Sequence, residues 1–215
     1  MNNIVNDASG NVAVGNNLTV AGTATVGGVA AVAVAPSTNG NVLTSNGTAW
    51  TSAAPASTGI TRGTAVASTS GTSINFTSLP ATVKRITVMF NGVSTSGTSP
   101  YIIQIGSGSV TTTGYIGCAS TSAVASITTT FFTTGMALID SPGNAGFVFS
   151  GIATITNISG NTWTYSAQLG ADGQNRMGSG AGASPALGGA LDRVRITTVN
   201  GTDTFDAGSI NILYE

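Results

Sequence analysis

The chain has 215 residues, of which only 6% are charged, with a formal net charge of −1 and no histidine. Arg62, Lys84, Arg85, Arg176, Arg193 and Arg195 are too few and too scattered to track phosphates, so no nucleic-acid partner is expected. With 30 Gly, 41% hydrophobic residues and abundant Val, Ile and Thr, the composition excludes a charge-rich disordered chain and points to an all-β protein with tight turns.

In the first stretch, residues 1–35, apolar positions recur with a short period. Val12, Leu18, Ala24 and Ala30 hold one phase; Val14, Val20, Val26 and Val32 lie two residues further on. Each unit reads as a short strand followed by a turn. Repeats of this kind are stable only when stacked on neighbours, and so few units cannot bury their own apolar phase. The missing neighbours are expected from other copies of the chain, as one strand of an intertwined shaft with three-fold symmetry. Val14, Val20 and Val26 are then the expected interface residues. The N-terminus, MNNIVNDASG, has no basic region followed by an apolar run, so no signal peptide is expected. The most apolar run, residues 28–35, is far shorter than the roughly 20 residues of a membrane helix, so no membrane insertion is expected.

Residues 36–62 form a second region. Asn39-Gly40 and Asn46-Gly47 are type I′ turn signals flanking Val42 and Leu43, and Trp50 follows. This predicts a hairpin collar and a linker. Trp50 has almost nothing local to pack on, so it is expected to be buried against a neighbouring chain.

Residues 63–215 carry the longer alternating runs. Ile86, Val88 and Phe90 share one phase, as do Tyr101, Ile103 and Ile105, then Trp163, Tyr165, Ala167 and Leu169, then Val194 and Ile196, then Ile210, Ile212 and Tyr214. Phe147 and Phe149 open a further run that continues to Ile155. Period-two alternation with one polar face predicts antiparallel strands covering a core, and hence a β-sandwich or jelly-roll head. Asn91-Gly92, Pro142-Gly143 and Asn200-Gly201 are read as turns between strands. The stretch Gly170 to Gly189, GADGQNRMGSGAGASPALGG, is read as a long loop because it is Gly-rich and poor in apolar residues. Cys118, the single cysteine, is expected to be a small buried apolar residue.

Several of these segments resemble a known family. The collar NVLTSNGTAWT (Asn41 to Thr51) resembles a motif found between shaft and head in bacteriophage tail fibres. VKRITVMFNGVSTSGTSPYIIQIGSGS (Val83 to Ser109), TTGYIG (Thr112 to Gly117) and RVRITTVNGTDTFDAGSINILYE (Arg193 to Glu215) resemble the heads of the same proteins. In the last of these, Asn200-Gly201, Asp203, Phe205-Asp206, Gly208 and Ile210-Asn211-Ile212 carry the match. Residues from about 120 to 190 lie outside the resemblance. It implies a homotrimeric, non-enzymatic virion protein, assembled in the host cytoplasm. Its N-terminal end would attach to a tail or baseplate protein, and its C-terminal head would meet a host-surface saccharide.

The chemistry of the side chains points the same way. The absence of His removes the imidazole base and any Ser-His-Asp triad. A glycosidase needs two carboxylates across the scissile bond, usually on a longer scaffold, so no catalytic residue is assigned. Asn200, Asp203 and Asp206 admit two readings, a calcium loop or a turn hydrogen-bonded to its own backbone, and the incomplete ligand pattern favours the turn. Gly106-Ser107-Gly108-Ser109 is read as a loop rather than a phosphate cradle, because no helix or Lys follows. No cofactor or metal is expected. Gln174 and Arg176 in the Gly-rich stretch are candidate receptor contacts. Trp163 and Tyr165 are either sugar-stacking platforms or, as is commoner for such a pair, core. The leading functional expectation is a tail fibre mediating adsorption. The alternatives are a head-decoration or baseplate-spike protein without a receptor role, and a small polysaccharide depolymerase.

Overall fold

The computed structural model describes residues 4–6, 12–14, 25–26, 29–30, 40–45, 48, 50–55 and 59–215. The chain divides into two units, Met1–Ser57 and Thr58–Glu215.

Among the described residues, the first unit holds three small antiparallel strand pairs. Strand β1 (Ile4–Asn6) pairs with β2 (Val12–Val14), β3 (Thr25–Val26) with β4 (Val29–Ala30), and β5 (Val42–Ser45) with β6 (Trp50–Ala53). β5 and β6 thus pair as an antiparallel hairpin, with Val42 opposite Ala53 and Ser45 opposite Trp50. Of the proposed interface residues, Val14 lies on β2, Val26 on β3 and Trp50 on β6. Val20 and the side chains of the other three lie outside the described residues.

The second unit is built from fourteen further strands: β7 (Thr61–Arg62), β8 (Val66–Ala67), β9 (Ser73–Phe76), β10 (Arg85–Thr95), β11 (Tyr101–Ser107), β12 (Ser109–Val110), β13 (Ile116–Ala123), β14 (Ser126–Phe132), β15 (Met136–Ala137), β16 (Phe149–Ser159), β17 (Thr162–Ala171), β18 (Arg176–Ala183), β19 (Arg193–Thr198) and β20 (Phe205–Tyr214). Nine of them form one antiparallel sheet in the order β14-β13-β18-β17-β16-β10-β20-β7, with β8 also on β20. Five form a second sheet, β12-β11-β19-β9, with β15 on β11. The alternating runs behave as their phases predict. Ile86, Val88, Phe90, Val194, Ile196 and Ile212 are all buried, and they share one core with Ile103, Ile105 and Ile155. Tyr101 of the smaller sheet meets Phe149 of the larger edge-on, with ring centroids 5.8 Å apart. The two sheets thus pack as a β-sandwich.

Three local expectations are corrected. Asn91-Gly92 is not a turn between strands. It lies inside β10, where the register shifts against both β16 and β20. Gly92 takes a φ of 63° there, and its N–H donates to Ser150 Oγ at 3.0 Å. This is a bulge, which uses the same glycine chemistry as a turn while the strand continues past it. The stretch Gly170 to Gly189 is not a long loop either. A short turn after β17 leads directly into β18, which lies within the large sheet between β13 and β17. Its glycines sit where backbone approaches backbone: a Cβ on Gly180 would come within 1.9 Å of the Ala137 carbonyl oxygen, and one on Gly182 within 2.2 Å of that of Ile116. Glycine here marks close packing rather than looseness. Cys118, thirdly, is exposed. On β13 it takes the phase opposite to buried Ala119, and that phase faces outward.

Candidate functional site

The outer face of the large sheet is the most distinctive surface of the head. Strand register assembles it in rows. One row runs Thr129, Ser120, Ser179, Gln168 and Ile152 across β14, β13, β18, β17 and β16. The next runs Phe131, Cys118, Ala181, Ser166 and Thr154. All of these residues except Phe131 line an open hollow of about 560 Å³, within the range of small-molecule sites. The lining is made of hydroxyls, one carboxamide, one thiol and short apolar groups, with no charged side chain. Ser120 and Ser179 hydrogen-bond to each other across the strands at 2.9 Å. Ile152, half-exposed, is the one large aliphatic side chain in the lining. The opposite phase of the same strands builds the core, so the rows are held in place by buried Ala119, Ala153, Ala167 and Leu169.

The residues singled out from the sequence do not assemble into one surface. Trp163 and Tyr165 are core side chains, 2% and 4% exposed, so they are not platforms for a sugar on this head. Burial pushes the Tyr165 hydroxyl up to about 12. Gln174 sits in the turn between β17 and β18, where its N–H donates to the Ala171 carbonyl at 3.1 Å. Arg176 is half-buried: its guanidinium donates to the Ser141 carbonyl at 2.9 Å and lies over Gly143, where a Cβ would come within 2.5 Å of it. It ties the start of β18 to the segment before β16, and so one donor of its planar fork is committed to the fold.

Of the polar residues near the chain's end, Asn200 and Asp203 form a turn. Asn200 Oδ1 accepts the N–H groups of Thr202 at 3.0 Å and Asp203 at 3.2 Å, and its Nδ2 donates to Asp203 Oδ1 at 2.7 Å. Asp203 Oδ2 accepts the Ser99 N–H, and Asp206 accepts the Ser94 hydroxyl. Asn200 thus caps its own turn, as Asx-type turns do, whereas Asp203 also reaches the segment after β10 and Asp206, on β20, bonds Ser94 of the paired strand β10. Gly108, with φ 71°, turns β11 into β12, and its N–H donates to the Asp192 carboxylate at 3.2 Å. That donor is taken by the protein's own anion. The Arg193 guanidinium and the Gly108 N–H hold the Asp192 carboxyl below its usual range. Among the described residues, no three His, Cys, Asp or Glu side chains gather as metal ligands would.

The hollow was not anticipated from the sequence. Its lining residues are small and come from five strands, and residues 116–132 and 176–183 show little hydrophobic alternation to mark them as strands. The available signal was charge: from Ile86 to Ile139 the chain has no charged residue at all. Compared with protein-family models, with curated proteins and with solved structures, the chain matches none of them.

Proposed function

We propose that this chain is a virion structural protein: a short homotrimeric bacteriophage tail fibre that adsorbs to a saccharide on the host surface. The N-terminal hairpin unit attaches to a tail or baseplate protein, and the sandwich heads meet the host. The resemblance of the collar and of both ends of the head supports the assignment. The observation that carries the receptor role is the uncharged, hydroxyl-lined hollow on the large sheet. Hydroxyls and a carboxamide on a rigid sheet offer donors and acceptors to a neutral polyol, and Ile152 offers an apolar patch to a sugar ring. With the Gly-rich stretch folded into the sheet, this face replaces the Gln174 and Arg176 loop as the receptor candidate. Adsorption follows from multivalency: three weak sites per fibre, each on the order of millimolar to micromolar, give lasting attachment when engaged together.

The test places charge in the hollow. The full chain carrying Ser166→Glu and Ser179→Glu is measured for binding to host cells and to arrays of neutral and acidic glycans. Both positions are on the outer phase, so the fold is retained. Binding is expected to fall by about tenfold or more at each site, multiplied by valency. Undiminished binding by a folded variant overturns this site, and turnover of a polysaccharide overturns the binding role.

A further inference from the structure

Among the described residues, strand β14 ends the large sheet and is paired on one side only, to β13. Edge strands are ordinarily protected by a charge, a proline, a bulge or a covering element. Here the strand reads SITTTFF, with neither charge nor proline. Its register with β13 runs without a break from Gly117 opposite Phe132 to Ala123 opposite Ser126. Ser126 to Phe131 are all exposed, so nothing among the described residues covers either face of these six residues. Val124, Ile127 and Phe131, in the turn and along the edge of this hairpin, are 83%, 76% and 62% exposed. The far edge of the same sheet is different: β7 and β8 are two residues each, and the Arg85–Glu215 ion pair joins the start of β10 to the residue that follows β20, the strand they pair with.

We propose that β14 is a pairing edge for a second copy of this chain, joining two heads through an antiparallel β14–β14 contact. The strand is its own complement. Run antiparallel to itself about Thr129, it sets Ile127 opposite Phe131 and Thr128 opposite Thr130, with Thr129 opposite its own copy. Both apolar pairs fall on one face, and no charge is buried on either side. A partner bearing charged side chains would lose their hydration against this edge without an ion to replace it. The contact is isologous, so it lies between heads related by a two-fold axis, outside any three-fold shaft. It does not depend on the attachment role.

The geometry is open to a direct test. Directly opposed residues of an antiparallel pair have Cα atoms about 4.5–5.5 Å apart, within the span of a disulfide. The full chain with Cys118→Ser and Thr129→Cys is oxidised mildly and analysed for covalent dimers, with Ile158→Cys, another exposed apolar position, as control. Thr129→Cys is expected to cross-link at least about tenfold faster than the control, because pairing raises its effective concentration. Adding Ile127→Lys and Phe131→Lys is expected to abolish the difference. These side chains are exposed, and unchanged melting will show that the fold survives. Equal rates at residues 129 and 158, or cross-linking that survives the lysines, overturns the proposal. Light scattering on the same samples separates it from the fibre reading. An intact trimer without the cross-link removes this contact alone, whereas a chain that cross-links at residue 129 but forms no trimer removes the fibre and leaves the contact standing.

Discussion

Gly180→Ala tests the most consequential feature of the head, the glycine-rich strand β18 inside the large sheet. A methyl group on Gly180 would lie 1.9 Å from the Ala137 carbonyl oxygen, against an ordinary contact of about 3.4 Å. The obstacle is backbone, so no side-chain rotamer relieves it. Ala137 is itself fully buried and pairs with Ile102 of β11. Either β15 retreats by about 1.5 Å and loosens that pairing, or β18 moves off its neighbours. Overpacking of this kind costs about 1–3 kcal/mol, and a backbone obstacle belongs at the upper end. At roughly 2–4 °C per kcal/mol for a domain of this size, about 3 kcal/mol lowers Tm by about 6–12 °C. Thermal or urea melts of the full chain read this directly, with Gly170→Ala as control, since a Cβ there meets open space. The control is expected to change stability by less than about 1 kcal/mol. Were the stretch a flexible loop, Gly180→Ala would be neutral or stabilising by about 0.4–1 kcal/mol. A Gly180→Ala chain melting at or above the wild-type temperature refutes the packing argument.

Three further outcomes are expected. Val88→Asp places an unpaired carboxylate at a fully buried position on β10, at a cost of several kcal/mol; circular dichroism is expected to find the head unfolded or melting far below wild type. Cys118 is exposed, so a thiol reagent is expected to label it fully under native conditions, and labelling only after denaturation would show that the phase of β13 is wrong. Burial pushes Tyr101, Tyr115 and Tyr165 up to about 12 in the folded chain, while an unfolded tyrosine ionises near 10. Above about pH 10 the unfolded chain gives up protons that the folded chain keeps, so these groups' contribution to stability is intact below pH 10 and falls away toward pH 12. Urea midpoints measured across that window check the sign: a midpoint that stays level or rises contradicts the burial of these three rings.

The sequence by itself determined those parts of the molecule whose signal is local. Alternation decided which side of β10, β17, β19 and β20 faces the core, because a strand's side chains change face at every residue and water sorts them by polarity. The turn at Asn200-Gly201 and the hairpin between Val42 and Ala53 were legible for a similar reason: a few residues hold the chemistry that makes them. Tertiary structure alone decided what the glycines mean. In Gly92 the positive φ serves a bulge rather than a chain reversal, and in Gly178, Gly180 and Gly182 the missing side chain admits a neighbouring segment. Local composition does not distinguish a glycine that is free from one that is crowded, because the difference lies in residues distant along the chain. The same holds for Trp163 and Tyr165, whose shared phase was clear but whose burial depended on a second sheet lying over them. It holds most fully for the outer hollow, where no residue is conspicuous alone. Only the register of five strands brings Ser120, Ser166, Gln168 and Ser179 onto one uncharged face.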